Sequence, residues 1–90
     1  MAQHIIKRRG HKEPYDEKKI YASIYAASLN AHLVKVEAEK IAEKVSKAIT
    51  AWIANKEVIG SGDIFKTAIE LLKKENTDVA FMFETHRDLA

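Results

Sequence analysis

Residues 5–20 read Ile-Ile-Lys-Arg-Arg-Gly-His-Lys-Glu-Pro-Tyr-Asp-Glu-Lys-Lys-Ile. An apolar pair, Ile5 and Ile6, centres a short strand over residues 3–8. Arg9-Gly10 is the natural turn, because glycine accepts positive φ without a steric penalty. Residues 11–15 then return as a second strand. Pro14 has no amide hydrogen, so it belongs at that strand's end or edge. Asp16 fits the N-cap of a helix, accepting backbone N–H bonds from the first turn. The stretch holds six cations (Lys7, Arg8, Arg9, Lys12, Lys18, Lys19) against Glu13, Asp16 and Glu17. That local excess is informative, because the formal charge of all 90 residues is only +2.

Beyond this segment the pattern is helical. The first helix runs from Asp16 to about Leu29 or Asn30, with one stripe of Ile20, Ile24 and Ala27 and a neighbouring one of Tyr21, Tyr25 and Ser28. Residues 30–33 make a connection. A second helix spans about 36–55, where Ala38, Ile41, Ala42, Val45, Ala48, Ile49, Trp52 and Ile53 keep three-four spacing. Glu57-Val58-Ile59 is short and β-favouring and suits a third strand beside the hairpin. Gly60-Ser61-Gly62 breaks the chain, with Ser61 as N-cap of a third helix that ends near Lys74. Its inner face is Ile64, Ala68, Leu71 and Leu72. Glu75-Asn76 closes it, and Thr77 caps a fourth helix with Val79, Ala80, Phe83 and His86 turned inward. The expected fold is α+β and mostly α: four helices and a small β element, in one domain over 1–90.

Composition narrows the class. At 47% hydrophobic and 31% charged, the chain is globular in character. A chain this size buries about two thirds of its unfolded surface or less, so its core has little to spare. With no cysteine there is no disulfide framework, thiolate metal site or thiol nucleophile. No apolar run approaches membrane-spanning length and the N-terminus lacks a signal-peptide core, so a cytoplasmic setting is expected.

Chemistry-bearing residues are sparse outside the basic stretch. His4, His11, His32 and His86 lie in different elements, without metal or catalytic spacing. Ser61 has no nucleophile-elbow pattern and reads as a cap. Glu37, Glu39 and Glu43 read as a solvated helix face, and Trp52 as core packing. Lys7 and Arg8, adjacent on a strand, point to opposite faces. Lys19 lies one turn into a helix whose N-terminus carries partial positive charge. A helix start beside Lys19, facing Lys7 across a hairpin, would make a phosphate site. On the residues alone, a solvated basic face explains these cations equally well.

The motif Ile-Lys-Arg-x-Gly-x-x-Glu-Pro-Tyr-Asp-x-x-Lys-Ile, at residues 6–20, resembles the opening motif of the ATP-cone family. Those domains regulate ribonucleotide reductases and occur in the repressor of reductase genes. Val58-Ile59-Gly60-Ser61-Gly62-Asp63-Ile64 is similar to the segment before the family's third helix. Residues 78–87, from Asp78-Val79-Ala80 to Arg87, resemble its closing motif. The resemblance implies a four-helix bundle capped by a small three-stranded sheet. It also implies binding of ATP or dATP as an allosteric signal, without hydrolysis and with Mg2+ as a candidate companion ion. Carried over by position, Lys7 and Lys19 would hold phosphates, with Arg8 supporting. Residues Glu13, Pro14, Tyr15 and Asp16 would line the adenine side, Ile20 would touch the base, and Ser61 would lie near the sugar or phosphates. Arg87 is a further phosphate candidate. Three departures stand out: Arg9 where the family often has Asp or Asn, Phe65 where some cones have a nucleotide-holding His, and Phe83 and His86 in place of tyrosines.

The expected function is therefore a non-catalytic adenine-nucleotide sensor linked to ribonucleotide reductase activity or expression. It would act through a reductase subunit or through self-association. Two rivals differ in class: a small DNA-binding protein using the basic hairpin, and a degenerate cone acting as an oligomerisation module. The first lacks an arginine-rich recognition helix and a high net charge, so nucleic acid is the weaker partner. An enzyme fits least, for want of a nucleophile, metal set or general base in one constellation.

Overall fold

The computed structural model describes residues 4–6, 12–54, 56 and 58–85. Along these run β1 (His4–Ile6), β2 (Lys12–Pro14), α1 (Glu17–Asn30), α2 (Lys35–Ile53), β3 (Val58–Gly60), α3 (Ser61–Glu75) and α4 (Thr77–Thr85). The expectation of a mostly helical chain holds. The strands are three residues each and pair in the order β2-β1-β3. β2 is antiparallel to β1, with His4 opposite Pro14 and Ile6 opposite Lys12. β3 is parallel to β1, with His4 opposite Val58 and Ile6 opposite Gly60. Pro14 is thus the last residue of an edge strand, where its missing N–H removes no inner ladder bond. Tyr15, expected in that strand, falls just after it. The expected strand residues Gln3, Lys7, Arg8, His11 and Glu57 and the Arg9-Gly10 turn lie outside the described residues.

Asp16 caps α1 as its sequence position implies. Its backbone is extended (φ −131°, ψ 105°) and its side chain accepts the N–H of Lys18 at 3.0 Å. The other end of α1 holds a cap the sequence did not announce. Leu33 N–H bonds the carbonyl of Ser28 at 3.1 Å and His32 N–H that of Leu29 at 3.0 Å. This is the Schellman pattern, and His32 takes the left-handed position with φ 69°. Glycine usually fills that place, because a side chain there costs energy. His32→Gly is therefore expected to raise stability by about 0.5–1 kcal/mol, or roughly 2–8 °C in Tm. A melting scan in which His32→Gly falls below the parent would contradict this reading of the turn.

α2 carries the centre of the core. Ala38, Ala42, Val45, Ser46, Ile49 and Ile53 are buried on it, in an arc about 100° wide. Ala48, expected in the stripe, is exposed; at 3.6 residues per turn it lies roughly 110° from the arc's centre. Ile41 and Trp52 flank the arc and are only half-buried, so Trp52 sits at the rim of the core and not inside it. Ser46, missed in the stripe, is buried because its hydroxyl is satisfied within the helix, on the carbonyl of Glu43 at 3.2 Å. The helix starts at Lys35 and ends at Ile53, two residues earlier than expected; Asn55 is outside the described residues.

α1 packs against α2 and α4, and α3 packs against α4 and α2. On α3 the buried face is Ile64, Ala68, Ile69 and Leu72. It is turned toward Ile69, which leaves the expected Leu71 at the rim. α3 begins at Ser61 itself, and its N-cap is Gly60, with no side-chain cap bond. Ser61 is therefore not the cap expected of it. At α4 the capping side chain is Asn76 and not Thr77: its Oδ1 accepts the N–H groups of Asp78 at 2.9 Å and Val79 at 3.2 Å. Val79, Ala80 and Phe83 are buried on α4 as expected, while His86 lies outside the described residues. Among the described residues no helix is long and apolar enough to cross a membrane.

Candidate functional site

The central strand fixes how the candidate residues are distributed. Ile6, the residue before Lys7 in sequence, pairs with Gly60, the residue before Ser61. At the other end of the strand His4 pairs with Pro14, which leads through Tyr15 and Asp16 into α1. Glu13 lies mid-strand in β2, opposite Ile5. Six of the ten candidates, Glu13, Pro14, Tyr15, Asp16, Lys19 and Ile20, thus lie along β2, the junction after it and the first turn of α1. Ser61 stands apart on α3. Lys7, Arg8 and Arg87 lie outside the described residues.

Burial divides this segment into an outer and an inner part. Pro14, Asp16 and Lys19 are exposed, whereas Tyr15 and Ile20 are half-buried and pack on the core cluster. Lys19 also belongs to the first-turn backbone: its N–H meets the carbonyl of Asp16 at 3.1 Å, and its own carbonyl accepts the Ser23 hydroxyl at 2.9 Å.

Tyr15 makes the contact that sequence reasoning missed. Its hydroxyl lies 2.8 Å from Thr50 Oγ1 on α2, and Thr50 Oγ1 lies 2.5 Å from Glu17 Oε1 in the first turn of α1. Tyr15, expected to line the adenine side, thus directs its hydroxyl at α2. Thr50 borders the buried arc of α2 but breaks its apolar pattern, and only the fold brings it to residues 15 and 17. Burial pushes the Tyr15 phenol above its ordinary value of 10.0, and the carboxylates of Glu17 and Asp16 add to this; the Thr50 hydroxyl offsets part of it. A folded-state value above the unfolded one means the contribution is complete below the unfolded value and lost as pH rises through the folded one. Tyr15→Phe is therefore expected to melt below the parent at up to about pH 9, with the gap closing above about pH 10. A gap that stays constant across that range, in thermal unfolding against pH, would contradict this.

Ser61 is half-buried at the head of α3, whose first turn has no side-chain cap and carries the acidic Asp63. One turn on, Phe65 leans on Phe83, with ring centroids 5.6 Å apart and planes at 46°. The two departures from tyrosine and histidine noted at these positions thus pack against each other. An open groove lined by Trp52, Lys56, Gly60, Asp63, Lys66 and Glu70 runs along α3. Asp63, Lys66 and Glu70 recur at three-four spacing, on the side of α3 opposite Ser61 and Phe65. Lys56 Nζ covers the Trp52 ring at 4.7 Å from its centre. Among the described residues no three His, Asp or Glu side chains are grouped to hold a metal ion.

The segment offers the exposed Lys18 and Lys19 beside the half-buried Tyr15 and Ile20 at a helix start, which suits an anionic ligand with an apolar part. A comparison with curated proteins returns no match. A family model described as the ATP cone domain matches residues 3–83.

Proposed function

The chain belongs to the ATP-cone family, a nucleotide-binding regulatory domain, and from that membership we propose that it senses ATP and dATP without turning them over. The sensing is linked to ribonucleotide reductase activity or expression. On this reading residues 1–90 form one cone, its four helices a bundle and its three short strands the cap. Lys7 and Lys19 hold phosphates with Arg8 in support, and Arg87 is a further phosphate contact. Glu13, Pro14, Tyr15 and Asp16 line the adenine side with Ile20 against the base, and Ser61 meets the sugar or phosphates. Mg2+ accompanies the phosphates, and the setting is cytoplasmic.

The observation that carries this reading is the pairing of Ile6 with Gly60. It sets the start of α3, where no side chain caps the free amides, level with the strand end that precedes Lys7-Arg8. Uncapped amides at a helix start suit a phosphate, and cations brought to it strengthen the hold. A reductase subunit or a second copy of the chain reads the change that binding produces, and the ligand shifts that equilibrium only by its differential affinity for the two states. The test combines sizing with a phosphate assay. ATP or dATP should change self-association, or binding to a reductase, by about five- to 150-fold, with no phosphate released. Steady phosphate release would sink the non-catalytic reading.

A further inference from the structure

We propose that Thr50, together with Glu17, is a positioning residue for the adenine nucleotide: it anchors Tyr15 and so fixes the segment 13–16 against α2. The inference rests on the proposed function and adds two residues to it: Thr50 lies outside the motif at residues 6–20, and Glu17 stands at one of its unspecified positions. Tyr15 and Asp16 are the two residues between β2 and α1 that belong to neither element. Candidate contacts to the nucleotide flank them on both sides. A side chain 35 residues away, on α2, ties the Tyr15 hydroxyl of this junction to the helix bundle.

Proton accounting gives the bond a direction. Thr50 Oγ1 has three neighbours: the Tyr15 hydroxyl at 2.8 Å, Glu17 Oε1 at 2.5 Å and the Ser46 carbonyl at 3.0 Å. An ionised carboxylate and a carbonyl only accept, so the single Thr50 proton goes to one of them. The shorter distance selects Glu17, as a charge-assisted O–H···O bond. While the phenol is protonated, the Thr50 lone pair is then open to Tyr15, whose hydroxyl donates. The chain runs Tyr15 to Thr50 to Glu17, each member polarising the next. Glu17 is held in turn by its place in the first turn of α1, where a negative charge is favoured. The relay closes a loop from the β2–α1 junction to α2 and back to α1. Without it the junction keeps its backbone and the Tyr15 ring packing but loses its hydrogen-bonded tie to α2. Ordering it on binding would then cost affinity.

The experiment is calorimetric titration of the full chain with ATP, using Thr50→Val, Thr50→Ser, Tyr15→Phe and the double variant Tyr15→Phe/Thr50→Val. Thr50→Val keeps the branched shape and removes the hydroxyl; it should weaken ATP binding about three- to tenfold. Thr50→Ser keeps the hydroxyl and should bind within about twofold of the parent. The double variant should bind no more weakly than the worse single one, because both changes break one bond. ATP affinity is the readout that a merely structural bond would leave unmoved. Thr50→Val binding ATP like the parent, even with a lowered Tm, overturns the inference while leaving the proposed function intact. So does full additivity in the double variant, which would give Tyr15 a role independent of Thr50. A parent chain that binds no ATP overturns the proposed function and the inference with it. Should Thr50→Val not fold, Glu17→Gln weakens the same relay from its other end, and the same reduction in affinity is expected.

Discussion

Ile49→Ala is expected to destabilise the chain by about 2–5 kcal/mol, more than any substitution at the rim of the core. Ile49 is 0% exposed and sits mid-way along the buried arc of α2. Removing its side chain loses the transfer energy of three carbons and leaves a cavity that the surrounding helices fill only in part. A domain of this length has a total stability of roughly 5–13 kcal/mol, so the change consumes much of it. Trp52→Ala removes a larger side chain but a half-exposed one. It gives up the rim packing and the Lys56 contact, and about 1–2 kcal/mol is expected. Urea unfolding of both variants checks the order. Trp52→Ala proving the costlier change would mean that the centre of the core has been misplaced.

The second large effect concerns affinity. Lys7→Ala and Lys19→Ala are each expected to weaken ATP binding by about tenfold or more, since a charge-assisted bond to phosphate contributes roughly 1.5–3 kcal/mol. Lys47→Ala is the matched control. Lys47 is exposed on α2, reaching Glu43 at 3.5 Å, and loses only an i,i+4 surface pair. If the three variants lose affinity equally, the cations act as a diffuse field and not as a site.

The helices and their inner faces were legible because periodicity reports burial directly: Ile24, Val45, Ile49, Ile64, Leu72 and Val79 all lie where three-four spacing puts them. The cap at Asp16 was legible for a similar reason, since its role depends on the residues that immediately follow it. The two misplaced caps share one cause. Ser61 and Thr77 have the chemistry of caps, but one residue earlier the chain already takes the capping backbone, at Gly60 and Asn76. Helix ends are decided by such one-residue choices, which propensity does not resolve. His32 was legible only as part of the connection at 30–33: its left-handed place belongs to the Schellman turn that ends α1, and no glycine marks it. For the candidate site, the β2–α1 segment was legible as a continuous motif. Its anchorage on Thr50 was not, because a contact spanning 35 residues leaves no local trace.

The central claim, that this chain is a receptor for adenine nucleotides, is tested most directly by calorimetric titration with ATP, dATP and GTP in parallel. ATP and dATP differ only by the 2′-hydroxyl, and the proposed contacts are to base and phosphates, so both should give saturable heats. GTP should bind at least about tenfold more weakly, since groups placed for the adenine edge are left unpaired by guanine. Absence of binding by both ATP and dATP at about millimolar concentration, an affinity limit near −4 kcal/mol, would contradict the account, as would GTP binding as tightly as ATP.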